Sequence, residues 1–378
     1  MSRWIPRQVL VLSKLTPLEL LKFRNPDIKE KQLLEQFSRQ GKNPIKVLHE
    51  HRSQLAFEAK VIKVLRKFKI NFRFTKRMVD ASKYVDWADF VITTGGDGTF
   101  LAASKLIRDN ITPLMGFNST NSSSNLTLPT QYTENVEKAF KKLFAGAYKL
   151  VMRSRIRTVM YGKGLYSHSF LVNEKNRTQG EKIIDALIRS TERKVADAMQ
   201  PQIRILPWLA LNEVFIGEFV AAKRTTLIIQ VDNNPQEYKF RSSGLCVCTG
   251  SGSRSWFRAI NFKGRETIQE IVALATNNAL QLDDKRAALL MQKYLNHYVF
   301  DPEEQMIAYK IRELHRASTW PKPKDLQDVQ MCRKVTVKSL SYDSGLIVDG
   351  GVSLPFNHGA RATFEIRPED ALKTISLN

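Results

Sequence analysis

The sequence predicts an α/β N-terminal domain built on a parallel sheet, followed by a β-rich C-terminal domain. Three observations carry this. The chain has 378 residues, more than one average domain. Residues 1–147 alternate short apolar runs with helical periodicity, the pattern of a Rossmann-like parallel sheet with helical crossovers. From Tyr148 onwards the texture changes to many short strands separated by turn signals, which argues for a sandwich or a mixed sheet. The expected domains are therefore residues 1–147 and 148–366. Residues 367–378 are expected to return to the first domain, with a helix over Pro368 to Leu377.

Residues 1–8 are basic and carry no acid; Arg3, Trp4 and Arg7 hint at an organelle-targeting start, but the segment is too short for a transit peptide. It also lacks the apolar run of a secretory signal, so the sequon-like Asn118, Asn121 and Asn125 carry no glycosylation meaning. Val9 to Leu12 reads as a first buried strand. Pro26 to Pro44 is a polar connection with a short helix around Leu33 to Phe37. From Val47 to Lys69, Leu48, Leu55 and Ile62, with Val61, Leu65 and Phe68, recur at helical spacing and predict an amphipathic helix. Phe72 and Phe74 alternate as a second strand, and Asp89 to Thr93 is the third. A helix over Leu101 to Ile107 leads to a fourth strand, Pro113 to Phe117. Ser119 to Asn125 is a loop of small polar residues, and Glu134 to Phe144 a helix.

In the second domain, strands are expected at Leu150 to Tyr161, Leu206 to Ile216, Thr226 to Val231, Glu237 to Phe240 and Gly244 to Cys248. Val335 to Lys338, Leu346 to Val348 and Ala362 to Ile366 follow, with a hairpin turn at Asp232 to Pro235. Two helical insertions are expected near 162–200 and 265–300.

Composition excludes several classes. Hydrophobic residues make 43% and charged residues 25%, the balance of a soluble globular chain with a sizeable core. No apolar run approaches the roughly 18–20 residues of a membrane span. The net charge is +22, but the basic residues are spread along the whole chain, without a basic tract or a basic-aromatic array. That reads as a solvated surface favouring small anionic ligands, with no specific nucleic acid. The three cysteines, Cys246, Cys248 and Cys332, are too few and scattered for a disulfide framework. Cys246 and Cys248 alternate along a strand and read as small core residues. The six histidines show no zinc spacing, and no metal-ligating residue is singled out.

The chain is organised around Phe90 to Phe100, an apolar run ending in Gly95, Gly96, Asp97, Gly98 and Thr99 before a helix. Glycines there permit a turn with φ > 0 and close approach of a ligand, while the first helical N–H groups suit phosphate. Asp97 would repel phosphate. It makes sense as a base for a hydroxyl that is to be phosphorylated, the alternative being a helix cap. The stretch is neither the three-glycine dinucleotide fingerprint nor a P-loop. A second constellation pairs Asn212 and Glu213, able to bond sugar hydroxyls or a base edge, with the small-residue stretches Ser242-Ser243-Gly244 and Thr249-Gly250-Ser251-Gly252-Ser253. The latter loop is expected to surround an anion with N–H and O–H groups. Asp349-Gly350-Gly351 reads as a hairpin turn. No Gly-x-Ser-x-Gly hydrolase elbow occurs.

In order and spacing, these motifs resemble the NAD kinase family, and in particular its mitochondrial type. Trp87-Ala88-Asp89, Ala210 to Glu218, Pro302-Glu303-Glu304, Ile311-Arg312-Glu313 and Val348 to Gly351 carry the mitochondrial flavour, and the likeness runs from about residue 7 to the C-terminus. The resemblance implies the fold shared by NAD kinases and diacylglycerol kinases. It implies ATP-dependent phosphorylation of the adenosine ribose 2′-hydroxyl of NAD, with Asp97 as the base and magnesium on the ATP phosphates. Gly95, Gly96, Gly98, Thr99 and Asn118 would line the phosphate path and its surroundings. Asn212 and Glu213 would hold NAD, and Thr249, Gly250, Ser251, Gly252, Ser253, Ser255 and Trp256 would border the nucleotide. It further implies a homodimer and mitochondrial residence. Two departures stand out. The family's acidic residue and its Ser-Glu-Gly-His-Leu-like stretch after Asn118 are absent, and Arg254-Ser255-Trp256 replaces the bacterial Thr-Ala-Tyr. A lipid kinase sharing the glycine-aspartate turn and a non-catalytic NAD-binding or basic binding protein are the alternative readings.

Overall fold

The structure, a computed structural model, describes residues 5–76, 78–119, 124–163, 165, 170–171, 200–220, 222–315 and 325–377. The basic start through Trp4 and nearly all of the insertion expected at 162–200 lie outside the described residues, as do positions 120–123 of the polar loop. The chain divides into two units, Met1–Met152 with Leu372–Asn378, and Arg153–Ala371.

In the first unit, strands form a sheet flanked by helices, the inner ones built from near-continuous apolar runs buried on both faces and the two edge ones partly exposed. They are β1 (Gln8–Ser13), β2 (Asn71–Thr75), β3 (Phe90–Thr94), β4 (Leu114–Phe117) and β5 (Lys149–Arg153). With the C-terminal strand Leu372–Ser376 they form one sheet in the order β2, β1, β3, β4, C-terminal strand, β5. β1 runs parallel to both β2 and β3, and β4 parallel to β3 and to the C-terminal strand. The chain thus leaves β1 to one side for β2 and crosses back for β3. The switch point lies between the carboxyl ends of β1 and β3, where open α/β sheets bind their ligands.

The helices of this unit are α1 (Pro17–Arg24), α2 (Glu30–Arg39), α3 (Pro44–Lys67), α4 (Met78–Ala81), α5 (Asp97–Ser104), α6 (Thr130–Glu134) and α7 (Val136–Phe144). The apolar stripe of α3 (Phe57, Val61, Leu65) meets Val9, Val11 and Ile92 of the sheet, while Phe140 and Leu143 of α7 close the same core. Phe57 stands edge-on to Phe117 with ring centroids 6.1 Å apart. Helix α1 was not anticipated, although its signal is in the sequence. Thr16 and Glu19 form a reciprocal capping box, with Pro17 in the first turn.

The second unit holds β6 (Ile156–Tyr161), β7 (Phe170–Leu171), β8 (Ile203–Ile205), β9 (Glu213–Glu218), β10 (Thr225–Val231), β11 (Tyr238–Ser242) and β12 (Gly244–Cys248). Next come β13 (Ile307–Arg312), β14 (Val329–Cys332), β15 (Lys334–Ser339), β16 (Ser344–Val348), β17 (Val352–Pro355) and β18 (Arg361–Ile366). Two sheets result, ordered β11-β10-β15-β18-β6-β8 and β14-β13-β12-β9-β16-β17-β7. One buried core draws on both, from Ile156, Leu227, Ile229 and Val337 to Val214, Ile216, Val247 and Leu346, so the arrangement is a sandwich. Strand β10 alternates buried and half-buried residues, whereas β12 is buried throughout. The reason is a further helix, α8 (Trp256–Asn261), whose Phe257 packs with Phe215, Cys246, Cys248 and Ala308. Helices α9 (Arg265–Ala275) and α10 (Asp284–His297) fill the insertion expected at 265–300.

Three expectations need correction. The strand predicted over Leu150 to Tyr161 is two strands in different sheets, broken where the Ser154 N–H turns to the Pro302 carbonyl and the buried Arg155 Nε donates to the Asp370 carbonyl. In the run Leu206 to Ile216, only residues from Glu213 onwards are regular strand. The helix expected at Pro368 to Leu377 is a 3-10 turn, Pro368–Asp370, followed by the strand Leu372–Ser376. Arg157 clamps Asp370, donating through Nε at 2.6 Å, and the strand beyond is fixed by its pairing with β4 and by Thr374 Oγ1 donating to the Val151 carbonyl.

Cys246 and Cys248 are fully buried and Cys332 nearly so, and all three are free thiols. Burial pushes the thiols of Cys246 and Cys248 well above the usual range, with the Glu213 charge adding to it. Burial and then Asp232 push Cys332 up to about 12. Because the thiolate is the reactive form, a disulfide-exchange reagent at pH 8 should label none of the three in the folded protein and all three in denaturant. Spectrophotometric thiol counting checks this.

Candidate active site

The glycine-aspartate turn follows β3 directly, at the switch point of the parallel sheet. Helix α5 starts at Asp97, four residues earlier than the apolar pattern suggested, with Gly96 as its N-cap. Asp97 is therefore the first helical residue rather than the cap. None of Gly95, Gly96 and Gly98 has a positive φ, so the turn does not use them for left-handed backbone. Gly95 is required for another reason: a Cβ there would lie 2.3 Å from Thr99 Oγ1. At Gly98 a Cβ would meet nothing within 4 Å. Gly98 is the exposed member of the turn, and its bare backbone leaves room for a ligand.

The floor under this turn is polar and tightly bonded. The Thr94 carbonyl accepts from the Lys14 backbone N–H at 2.9 Å and from Gln54 Nε2 at 3.1 Å. Gln54 also donates to Ser13 Oγ and Glu58 Oε1, and Ser13 Oγ donates to Glu58 at 2.6 Å. Lys76 bridges Glu58 at 2.8 Å and Glu19 at 2.6 Å. Burial alone would raise the Glu19 carboxyl, but hydrogen bonds from Lys76 and Thr16 carry it below its ordinary value. Sequence reading passed over this network. Its signal was the polar pair Gln54 and Glu58, one turn apart on an otherwise apolar helix face.

Asp97 accepts a hydrogen bond from Ser124 Oγ at the end of the polar loop. Asn118 follows β4 in a buried position, and its carbonyl accepts from Thr133 Oγ1 at 2.8 Å.

The second constellation converges on the start of β9. Leu211, Asn212 and Glu213 present three consecutive backbone N–H groups to the Asp349 carboxylate, at 2.9, 2.8 and 3.1 Å. Asp349 sits in the β16–β17 hairpin with φ +46°, followed by Gly350 at +60°. The turn foreseen there thus does more than reverse the chain: it is the anchor of Asn212 and Glu213. On the other side, Thr249 Oγ1 donates to the Leu211 carbonyl at 2.5 Å and the Thr249 N–H to that of Asn212 at 2.9 Å. A Cβ on Gly252 would lie 2.0 Å from the Asn212 carbonyl oxygen, and one on Gly250 1.9 Å from that of Asp301. Ser253 Oγ donates to the Gly250 carbonyl at 2.6 Å, and Ser251 Oγ accepts from Arg153 at 3.0 Å.

The five residues Thr249 to Ser253 are all buried. The hydroxyls of Thr249 and Ser253 donate to backbone carbonyls, which makes this loop a packed wall behind Asn212. Asn212 itself is 4% exposed; its Nδ2 donates to Ser255 Oγ at 3.1 Å, while its buried Oδ1 has no hydrogen-bond partner among the described residues. Leaving a buried acceptor unpaired costs about 1–3 kcal/mol. Trp256 stacks at 4.5 Å, tilted by 41°, on Phe215 and keeps 37% of its surface exposed. With Lys263, Lys310 and Arg312 it borders a cleft of about 470 Å³. Arg254 is exposed. Among the described residues, no group of three or more His, Cys, Asp or Glu side chains could hold a metal ion. No helix there is long and apolar enough to cross a membrane.

Comparison with known proteins agrees with this geometry. The family model for the ATP-NAD kinase N-terminal domain matches residues 32–148. The human mitochondrial NAD kinase 2 is 32% identical over 388 residues, covering 98% of this chain and 84% of the relative. The rat protein of the same name is 32% identical over 381 residues, covering 98% and 88%. The chain belongs to the NAD kinase family. Two solved structures share the fold. The NAD kinase of Archaeoglobus fulgidus in complex with ATP has a TM-score of 0.51 at 16% identity, covering 97% of this chain and 92% of that one. Yeast NADH kinase complexed with NADH has a TM-score of 0.54 at 12% identity, covering 99% and 84%.

Replacing Asp349 by alanine would orphan three buried N–H groups at once, each unmade bond costing about 1–3 kcal/mol. Asp349→Ala should therefore lower unfolding stability by about 3 kcal/mol or more in a denaturant titration. Asp349→Asn, which keeps one acceptor oxygen, should lie between it and the parent.

Proposed function

We propose that this protein transfers the γ-phosphoryl group of ATP to the 2′-hydroxyl of the adenosine ribose of NAD, giving NADP and ADP. The observation that carries the reading is the pairing of a carboxylate with a glycine turn. Asp97 stands as the first residue of a helix at a sheet switch point, beside backbone that admits a phosphate chain. The family's relatives act in the same sense: they are NAD kinases by name, and two structural neighbours bind ATP and NADH.

In the proposed reaction, Asp97 accepts the proton of the 2′-hydroxyl. The ribose oxygen bonds to the γ-phosphorus as the bond from that phosphorus to the bridging oxygen breaks, and ADP leaves with the electron pair. Little covalent work falls to the protein; positioning supplies most of the rate. The exposed Gly98 and the half-buried Gly96 leave the start of α5 open to the phosphates, near Asn118, while Gly95 and Thr99 pack against each other and shape the turn. Asn212 Oδ1 accepts from NAD, through a ribose hydroxyl or an amide or amine N–H, and Glu213 shares that task. Thr249 to Ser253 holds Asn212 in place from behind, Ser255 fixes its amide, and Trp256 offers an aromatic face.

Magnesium belongs to the substrate in this account. The described residues build no cage for it, and a hard cation that keeps several waters is normally carried by nucleotide phosphates with one or two carboxylates. We also propose a homodimer, supported by the family resemblance, and mitochondrial residence, supported by the human and rat relatives.

The test is NADP formation by purified protein with NAD, ATP and magnesium. A positioned base contributes about 10²–10⁴ in rate, so Asp97→Asn should lose at least about a hundredfold in kcat while NAD binding persists. Retention of parental kcat by Asp97→Asn would remove Asp97 from the chemistry. Asn212→Ala should raise KM for NAD about tenfold or more with a smaller effect on kcat, read from steady-state kinetics, since one or two hydrogen bonds are lost.

A further inference from the structure

We infer that Ser124 is a positioning residue for the proposed base: its hydroxyl fixes one oxygen of Asp97 and leaves the other for the substrate. The inference rests on the reading of Asp97 given above and adds the group that holds it.

The geometry is specific about direction. Ser124 Oγ receives Thr127 Oγ1 at 2.6 Å, the Thr127 backbone N–H at 3.0 Å and, more weakly, the Leu126 N–H at 3.3 Å. A serine hydroxyl has two lone pairs and one proton. With its two lone pairs taken by the two Thr127 donors, the Ser124 proton is directed to Asp97 Oδ1. The hydrogen bond therefore has a fixed polarity: Thr127 hydroxyl to Ser124 hydroxyl to carboxylate.

Asp97 needs such a partner. Its neighbours Gly96 and Gly98 carry no side chains, and the first turn of a helix leaves a carboxylate free to rotate about χ1 and χ2. Asp97 is only half-buried, so packing does not set its rotamer either. A base must be held within about 0.5 Å of its productive position to work at full effect. A charge-assisted bond from a serine that is itself anchored supplies that restraint. Oδ1 is engaged by Ser124; among the described residues Oδ2 has no hydrogen-bond donor, and it is the oxygen that meets the ribose hydroxyl.

The placement also gives meaning to the composition of the loop after Asn118. A serine at position 124 serves only if its own donors are in reach, and Thr127, three residues on, supplies two of them.

Steady-state kinetics of the full chain with NAD and magnesium-ATP test this, using Ser124→Ala, Ser124→Thr and Asp97→Asn beside the parent. Thermal melting verifies that each variant is folded. Loss of the hydroxyl should lower kcat about tenfold while KM for NAD and for ATP stays within about twofold, because the restraint matters to the base and not to ground-state binding. Ser124→Thr keeps the hydroxyl and should restore kcat to within about threefold of the parent. Parental kcat in Ser124→Ala while Asp97→Asn is inactive would overturn the role of Ser124 and leave the base intact. A rise in KM at unchanged kcat would overturn it too, reassigning Ser124 to substrate binding. A failure of Ser124→Thr to recover activity in a folded protein would do the same. If Asp97→Asn itself turns over like the parent, the base assignment fails first, and the inference with it.

Discussion

At the carboxyl end of β12 the backbone runs closer to its neighbours than any side chain permits. Gly252 lies against the Asn212 carbonyl and Gly250 against that of Asp301, each with no room for a Cβ. This close approach governs the second unit's candidate site. It lets Thr249 donate to the carbonyls of Leu211 and Asn212 while Asp349 receives the N–H groups of residues 211–213. The backbone of Asn212 and Glu213 is thus gripped on both its donor and acceptor edges, and the Asn212 side chain is presented with one oxygen unspent. Unit one repeats the device in smaller form. Gly95 fits against Thr99 only because it lacks a Cβ, and that contact brings β3 straight into α5 so that Asp97 falls on the first helical position.

Electrostatics divide between surface and interior. The net charge of +22 is spread over the chain and favours anionic ligands at long range, subject to screening. Inside, several charges are held in pairs or networks. The Lys76 bridges to Glu58 and Glu19 tie α1, α3 and the end of β2 together beneath the glycine turn, and Arg157 with Asp370 fixes the chain just before its last strand. Breaking a buried pair of this sort on one side leaves an uncompensated charge, which explains how such a network specifies one arrangement without adding much net stability.

The fold class and the main motifs were legible in the sequence because each has a local cause. Apolar runs such as Val9 to Leu12 and Phe90 to Ile92 are strands in a sheet covered on both faces, and α3 follows from its own periodicity. What failed was decided by distant partners. The C-terminal segment reads as a helix from its own residues, but pairing with β4 makes it a strand. The break at Ser154 and Arg155 depends on Pro302 and Asp370, more than a hundred residues away in sequence. Asp349 looks like an ordinary hairpin residue until its three N–H donors, about 140 positions earlier, are brought to it. The positive φ attributed to the glycines of the first turn is absent, and Gly95 is needed instead for its close packing against Thr99. Thr249 to Ser253 was expected to offer its hydroxyls to an anion; those of Thr249 and Ser253 instead brace backbone carbonyls.

The central step is the transfer of phosphate to one of the several ribose hydroxyls that NAD carries. Phosphorus-31 NMR of the product formed by the purified chain from NAD and magnesium-ATP measures that directly. A single new phosphomonoester resonance on the adenosine 2′-oxygen, growing in step with ADP, is the predicted result. ATP consumed with the phosphate on any other acceptor, or NAD bound but left unphosphorylated while ATP stays intact, would contradict it.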